Sequence, residues 1–441
     1  MQNLKGFRDF FPEEMAERNH LFETWRRVAT RFGFVEYDGP PLELLELYMK
    51  KSGDEIVEQL YHFEDKGGRH IALRPEMTPT LARMMAARVT TLPKPIKWFS
   101  IPQLFRYERN QRGRLREHFQ LNVDIIGAPG VVADAELLAV ALSVQLELGL
   151  RRDDVVARVN DRRVVAGALG VLGVTDDKIA DVYAALDKFR KISSPETFTA
   201  LLQDAGVPAD SIQELTRLCD GSATVFDWFE PHLGEVDEAT RNALSDLEKY
   251  LGLMHEKGLA DLAEVDFSIV RGLAYYTGIV FELYDRKGKE RAICGGGRYD
   301  DLIASLGGPD MPALGFGMGD VVLSLILRDR GLMPEAPARA DVVVIPVGDE
   351  LARAAREVTE ELRRADVRAE TPYAPAGVSK DLKAANQHRI PYAVIVGPDE
   401  WEAREVNLKD LKAGEQERVA LSELADRVRA RRHQSTRSTR T

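Results

Sequence analysis

Cysteine is scarce in this chain: Cys219 and Cys294 are the only two in 441 residues, and they stand far apart. That excludes a disulfide framework and a cysteine-based zinc pattern, so both are expected to be reduced thiols and no metal-ligand set is assigned. Long apolar runs are missing too. Nothing approaches the roughly 18 consecutive apolar residues of a spanning helix, and the opening MQNLKGFRDFFPEEM mixes acids with bases, without the apolar stretch of a secretory or transit peptide. A soluble protein with no membrane partner, cytoplasmic by default, is the expectation. Excess positive charge is also absent: 71 Asp and Glu against 60 Lys and Arg give a formal charge of -11, which argues against a chain that wraps nucleic acid over its whole surface. No GxxxxGK[ST] phosphate loop is present, and no repeat of solenoid length.

What is present fits a globular protein. A hydrophobic fraction of 44% with 30% charged residues supports packed cores, and 441 residues exceed one ordinary core, so two or three domains are expected. Arginines concentrate in two places, at Arg106, Arg109, Arg112, Arg114 and Arg116, and from Arg427 to Arg440. Met15, Phe22, Trp25, Val28, Ala29 and Phe32 recur at helical spacing before Gly33, which predicts a helix over 13–32. Alternating strands then dominate from about 70 to 170 and from about 263 to 328, and are expected to form one sheet. Between them, about 175–262 reads as short helices broken by turn residues, a helical insertion. After LMPEAPARA, strands and helices alternate (DVVVIPV, ELARAAREVTEELRRA, VRAETPY, GVSKDLKAANQH, YAVIVG), which predicts an α/β domain over 338–432 with a largely parallel sheet. The tail 433–441 is expected to be disordered.

Strand side chains alternate faces, so a period of two shows which polar groups share a surface. In IPQLFRYE, Arg106 and Glu108 fall on one face. In EHFQLNVDII, His118, Gln120, Asn122 and Asp124 share a face against Phe119, Leu121, Val123 and Ile125. In LRPEMT the alternation groups Arg74, Glu76 and Thr78; in ALGFGMG it groups Gly315, Gly317 and Gly319 as a bare floor. RGLAYYTG supplies an arginine and two tyrosines at the mouth of a further strand. Each segment alone also fits ordinary surface or close packing. Together they point to one polar ligand site.

These segments resemble the histidyl-tRNA synthetase family, within the class II aminoacyl-tRNA synthetases. KGFRDFFPEEM is similar to the family's opening, GFVEYDGPPLE to its first class motif, LRPEMT to its amino-acid-binding strand, and FRYERNQRGRLREHFQLNVD to the second motif. RGLAYYTG resembles its histidine-specific motif, GGGRYDDL and ALGFGMG the approach to the third, and GVSKDLKAANQHRIPYAVIVGPDE its anticodon-binding domain. The resemblance implies an α+β fold: a class II catalytic domain over 1–330, with an antiparallel sheet and a helical insertion, followed by a C-terminal α/β anticodon-binding domain. It implies a homodimer with ATP as substrate, Mg2+, L-histidine and tRNA(His) as partners, and formation of histidyl-adenylate followed by transfer to the 3' end of the tRNA.

Carried over position by position, it makes Arg106 and Arg271 catalytic. Histidine binding is assigned to Glu76, Met77, Thr78, Arg106, Gln120, Asp124, Arg271, Tyr275 and Tyr276. ATP binding falls to Arg106, Glu108, Arg114, Arg116, His118, Gly317 and Gly319. Three positions depart from the pattern: Val322 where an ATP-contacting arginine is expected, His118 where a phenylalanine commonly stacks on adenine, and Ala274 in place of an aspartate. Two other functions fit parts of the pattern. A synthetase-like regulatory subunit that senses histidine is disfavoured because Arg106, Arg114, Arg271 and the whole region 340–432 are present. Another class II specificity is disfavoured by Asp124 and RGLAYYTG.

Overall fold

The structure, a computed structural model, describes residues 2–52, 58–109, 111–192, 194–270, 276–288 and 290–438. They fall into two units, Met1–Pro334 and Glu335–Thr441. The first opens on the helix Pro12–Arg31. Proline in its first turn, Glu13 and Glu14 beside the positive end of the helix dipole, and Arg31 in the last turn agree on its direction and limits. Leu21, Trp25, Val28 and Ala29 form its buried stripe, and Gly33 at φ 81° turns the chain out of it.

The strands of this unit are β1 (Val35–Glu36), β2 (Leu42–Leu44), β3 (His62–Glu64), β4 (His70–Leu73), β5 (Ile96–Ser100), β6 (Gln103–Phe105), β7 (Glu117–Ile126), β8 (Val155–Asp161), β9 (Ala263–Val265), β10 (Ile279–Asp285), β11 (Cys294–Arg298) and β12 (Ala313–Gly319). Nine of them form one sheet in the order β1-β5-β7-β12-β11-β10-β8-β9, with β6 beside β7; β2-β4-β3 form a small second sheet. From β5 to β8 every pairing is antiparallel, and only the edge strands β1 and β9 pair parallel. The two blocks of alternating sequence thus share one sheet. The first block is less strand-rich than its alternation implies, because it also holds the helices Thr78–Arg88 and Val131–Glu147. The second of these is apolar on nearly every side and so lacks an amphipathic signature; it is buried as such a helix must be.

That helix packs between Pro12–Arg31 and Glu238–Glu256 and closes one face of the sheet. Leu121, Val123 and Ile125 of β7, Phe281 and Leu283 of β10, and Leu314, Phe316 and Met318 of β12 meet Leu138, Ala141 and Leu142 there. One alternate set of side chains is therefore spent on the core, and the other is left for chemistry. The helices from Arg162–Val171 through Glu238–Glu256 build a separate core around Leu169, Phe198, Leu215 and Phe229. Ser194, Thr224 and Asp237 cap helices of this group with their side chains.

The second unit carries β13 (Val342–Pro346), β14 (Ala369–Glu370), β15 (Tyr392–Val396), β16 (Glu405–Asp410) and β17 (Gln416–Ala420) in the order β14-β13-β15-β16-β17. Its sheet is mixed where a largely parallel one was expected: β13 pairs parallel with β14 and β15, but β15-β16-β17 run antiparallel. The cause is local. A turn with Gly414 at φ 76° folds β16 directly back on β17 without a crossover helix. The helix Leu421–Ser438 also runs on into the tail expected to be disordered, since LSELADRVRARRHQSTRS contains neither the glycine nor the proline that would stop it. Among the described residues, no helix is long and apolar enough to cross a membrane.

Candidate active site

On the polar face of the large sheet lies an open cavity of about 470 Å³. Its floor follows from register. Asn122 of β7 pairs with Gly317 of β12, Gly317 with Gly295 of β11, and Gly295 with Glu282 of β10. Directly paired residues point to the same side, so Asn122 and Glu282 stand as polar walls on either side of two glycines. One row inward, Asp124 pairs with Gly315 and Gly315 with Gly297; toward the rim, Gln120 pairs with Gly319. The helix Asp320–Asp329 then carries Val322 to the rim. At about 3.3 Å per residue, Gly315 to Gly319 spans about 13 Å.

The glycines of β12 serve different purposes. A Cβ on Gly315 would come within 2.1 Å of Asp124 Oδ1, and one on Gly317 within 2.7 Å of the Gln120 amide. These two glycines make room for neighbouring side chains that lie across the strand, where the sequence suggested a bare floor. A Cβ on Gly319 would meet nothing within 4 Å among the described residues beyond its chain neighbours. The open floor is Gly319 together with Gly295, where a Cβ would make only ordinary contact, at 3.8 Å from Glu282.

Glu76, Thr78, Arg106, Glu108, Arg114, His118, Gln120, Tyr276, Gly317 and Gly319 all line this cavity. Others of the expected set do not. Met77 is fully buried, with its sulfur 3.7 Å from Arg74. Arg116 stacks over Tyr107, 4.6 Å from the ring centre, and donates to the Glu108 carbonyl. Arg271 and Tyr275 lie outside the described residues.

Asp124 is buried just beneath the lining, and its Oδ1 accepts at 2.5 Å from the hydroxyl of Tyr299, which does line the cavity. Burial pushes the Asp124 carboxyl up to about 7, with the Tyr299 hydrogen bond opposing. Burial first, then Arg106, Arg8 and Arg114, push His118 down to about 3, so its ring is neutral at physiological pH. Burial raises the Tyr276 hydroxyl and the Cys294 thiol above their ordinary values, which leaves the thiol unreactive.

The strand alternation fails in two places. β4 ends at Leu73, so Arg74 does not share a face with Glu76: it points away, donating to Asp38 at 2.7 Å, the Gly39 carbonyl at 2.8 Å and the Gln103 carbonyl at 3.1 Å. Pro75 and Pro79 explain the break, the second seated in the first turn of the helix Thr78–Arg88. β6 ends at Phe105, and Arg106 and Glu108 belong to the loop that follows. That loop folds back on itself through the paired backbones of Gln111 and Arg114, with Gly113 at φ 74°. Arg114 forms an ion pair with Glu108, while Arg106 donates to the Pro75 carbonyl at 3.0 Å. The base of the hairpin is tied to the N-terminal segment by Arg8, which bonds Glu117 at 2.6 Å and Asp320 at 2.8 Å.

Sequence reasoning placed Asn122 on the polar face without giving it a role, and missed Glu282, Arg291 and Tyr299 as lining residues. Glu282 left a signal, a lone carboxylate in the apolar strand IVFELY. The other two depend on contacts distant in sequence.

A mainly antiparallel sheet with arginines, carboxylates and glycines around one open cavity, in a chain that also carries a smaller α/β unit, defines a class II aminoacyl-tRNA synthetase. Comparison with known proteins gives the particular member. Residues 6–319 match the family model described as histidyl-tRNA synthetase, and residues 341–431 match the model of an anticodon binding domain. The chain is 44% identical over 411 residues to a histidine–tRNA ligase of Opitutus terrae, covering 93% of this chain and 94% of that one. It is 41% identical over 420 residues to the chloroplastic/mitochondrial histidine–tRNA ligase of Arabidopsis thaliana, covering 95% and 85%. The crystal structure of histidyl-tRNA synthetase from Nostoc sp. PCC 7120 superposes with a TM-score of 0.85 at 28% identity, over 98% of this chain and 99% of that one. The chain belongs to the histidyl-tRNA synthetase family.

Proposed function

We propose that the protein ligates L-histidine to tRNA(His), with the inner end of the cavity holding histidine and the arginine rim holding ATP. The observation that carries this reading is the gradient along β12, from the buried Asp124–Gly315 row to the open Gly319 beside His118 and Arg114. Glu76, Thr78 and Gln120 receive the substrate ammonium. Asp124 accepts from the imidazole through the carboxylate oxygen that Tyr299 does not hold, and Tyr276 closes the same end. Specificity follows from burial, since a wrong side chain leaves these polar groups without partners.

At the rim, neutral His118 stacks on adenine and Glu108 accepts from its amino group. Gly319 lets the nucleotide approach the backbone, while Gly317 seats the Gln120 side chain beside it. Glu108 exchanges its ion pair with Arg114 for these contacts, which frees Arg114 for the distal phosphates, with Arg116 supporting the loop. The histidine carboxylate oxygen bonds to the α-phosphorus as the bond to the pyrophosphate oxygen breaks. Arg106, and Arg271 by sequence resemblance, meet the negative charge that builds there. The terminal ribose hydroxyl of tRNA then attacks the carbonyl and AMP departs.

Mg2+ arrives with ATP. The cavity suits it through the Glu282 carboxylate, because this ion takes one or two carboxylates with phosphate oxygens and water rather than a protein cage. Bound there, it would neutralise charge on the phosphates.

Residues 341–431 are read as the anticodon contact. A homodimer is supported by apolar groups left exposed near the first motif, Val35, Leu44 and Phe63, each at least half exposed. Aminoacylation of tRNA with each amino acid in turn tests the reading. Only histidine should be charged, and loss of histidine-dependent pyrophosphate exchange in Arg271→Ala should accompany it; charging with another amino acid, or no charging, would overturn it. Removal of residues 335–441 should spare exchange more than charging.

A further inference from the structure

The loop over the rim is latched to the turn between β10 and β11 by two contacts, with an arginine supplied once by the loop and once by the turn. Arg112 of the loop pairs with Glu290 of the turn at 2.7 Å, and Arg291 of the turn donates to the side-chain oxygen of Gln111 of the loop. Gly113 lies between them, where a Cβ would stand 3.3 Å from Val322, 3.9 Å from Glu290 and 4.0 Å from the Cδ of Arg291. Arg291 and Arg114 therefore flank one glycine at the open end of the cavity, and both line it.

Their partners differ in a way that matters for an anion. Arg114 is paired with a carboxylate and so is Arg112, whereas Gln111 is neutral. It fixes the direction of the Arg291 guanidinium without cancelling its charge. Val322, on the other side of Gly113, offers no charge, and its small side chain is what lets the loop close so near.

We propose that Arg291 is a further substrate-binding residue of the adenylation step, gripping the pyrophosphate portion of ATP, with Gln111 as its positioning residue. The planar fork of a guanidinium suits two phosphate oxygens at once. The inference rests on reading the Arg114 side of the cavity as the ATP side. It also accounts for a site that works with valine at 322: the cation that meets the distal phosphates comes from the turn after β10 and not from the helix after β12.

Histidine-dependent pyrophosphate exchange with the full-length protein tests it, with ATP, histidine and pyrophosphate each titrated and adenosine used as a competitive inhibitor. Arg291→Ala should raise the KM for ATP and for pyrophosphate by about tenfold or more, as expected for a lost charge-assisted hydrogen bond. The histidine KM and adenosine inhibition should stay as in the parent. Arg291→Lys should recover part of the loss, and Gln111→Ala should show a smaller effect in the same direction. Unchanged ATP and pyrophosphate KM values in Arg291→Ala overturn the proposal, and so does equal weakening of adenosine, which would mark a structural role. Arg114→Ala run alongside separates the two readings. If it raises the ATP KM while Arg291→Ala does not, only the role of Arg291 fails; if neither does, the ATP side has been misassigned.

Discussion

The two ends of the cavity are built by opposite means. The inner end is set by sheet register: Asp124 lies across Gly315, and Tyr299, the residue after β11, holds its carboxylate. The rim is set by side-chain pairs between a loop and a turn, such as Arg112–Glu290 and Arg291–Gln111, in which Gln111, Arg112 and Arg291 are exposed and only the Glu290 side chain is buried. A rigid inner end suits discrimination of a small side chain, where an unmet hydrogen bond is costly. A rim held by pairs with exposed arginines suits a loop that must rearrange as nucleotide enters and pyrophosphate leaves.

Substitutions at the two ends should therefore behave differently. Gly315→Ala is expected to have the largest effect, because its Cβ would stand 2.1 Å from Asp124 Oδ1 and 2.9 Å from the Val123 carbonyl. Overpacking there should cost about 1–3 kcal/mol of stability, read in denaturant unfolding. Displacement of Asp124 should lower kcat/KM for histidine by about 100-fold or more in pyrophosphate exchange. An unchanged histidine kcat/KM would place the imidazole elsewhere.

Asp124→Asn comes next, with the histidine KM up by about tenfold and the ATP KM unmoved. It carries a stability signature as well. The Asp124 carboxyl sits at about 7 in the folded protein against an ordinary 3.8, so the native state holds the proton more tightly than the unfolded chain does. Stability contributed at this site is then full below the unfolded value and falls as pH rises through the folded one. Asparagine escapes that loss. The Tm of Asp124→Asn should exceed that of the parent at about pH 8, and the gap should close toward about pH 4. A constant gap would mean that Asp124 is not held protonated by burial.

Gly319→Ala should give a smaller effect confined to the nucleotide. Among the described residues, nothing beyond its chain neighbours lies within 4 Å of an added Cβ, so Tm should hold while the ATP KM rises several-fold. Arg112→Ala should do least. Arg112 is 66% exposed, although the Glu290 carboxylate it meets is buried, so unfolding curves should lie close to those of the parent, with only a slight rise in the ATP KM.

The same contrast explains what the sequence disclosed. Alternation along β7 and β12 revealed the cavity face of the sheet, because His118, Gln120 and Asn122 lie on the cavity side while Leu121, Val123 and Ile125 face the core. It misgrouped Arg74 with Glu76, since a strand period was carried past Leu73 into a stretch shaped by Pro75 and Pro79. It misread the glycines as a bare floor, since nothing local says that Asp124 and Gln120 lie over them. The rim was less legible still. Gln111 and Arg291 are 180 residues apart, and so distant a pairing leaves no periodic trace in either segment. The helix Val131–Glu147 concealed its type by being apolar all round.

The account stands on the separation of the two ends, and a crossed titration tests it most directly. Pyrophosphate exchange should be measured for Asp124→Asn and Arg114→Ala, with histidine and ATP each varied at saturation of the other. The account predicts that Asp124→Asn raises the histidine KM alone and Arg114→Ala the ATP KM alone. A rise in the ATP KM for Asp124→Asn equal to that for histidine, or the converse for Arg114→Ala, would contradict it.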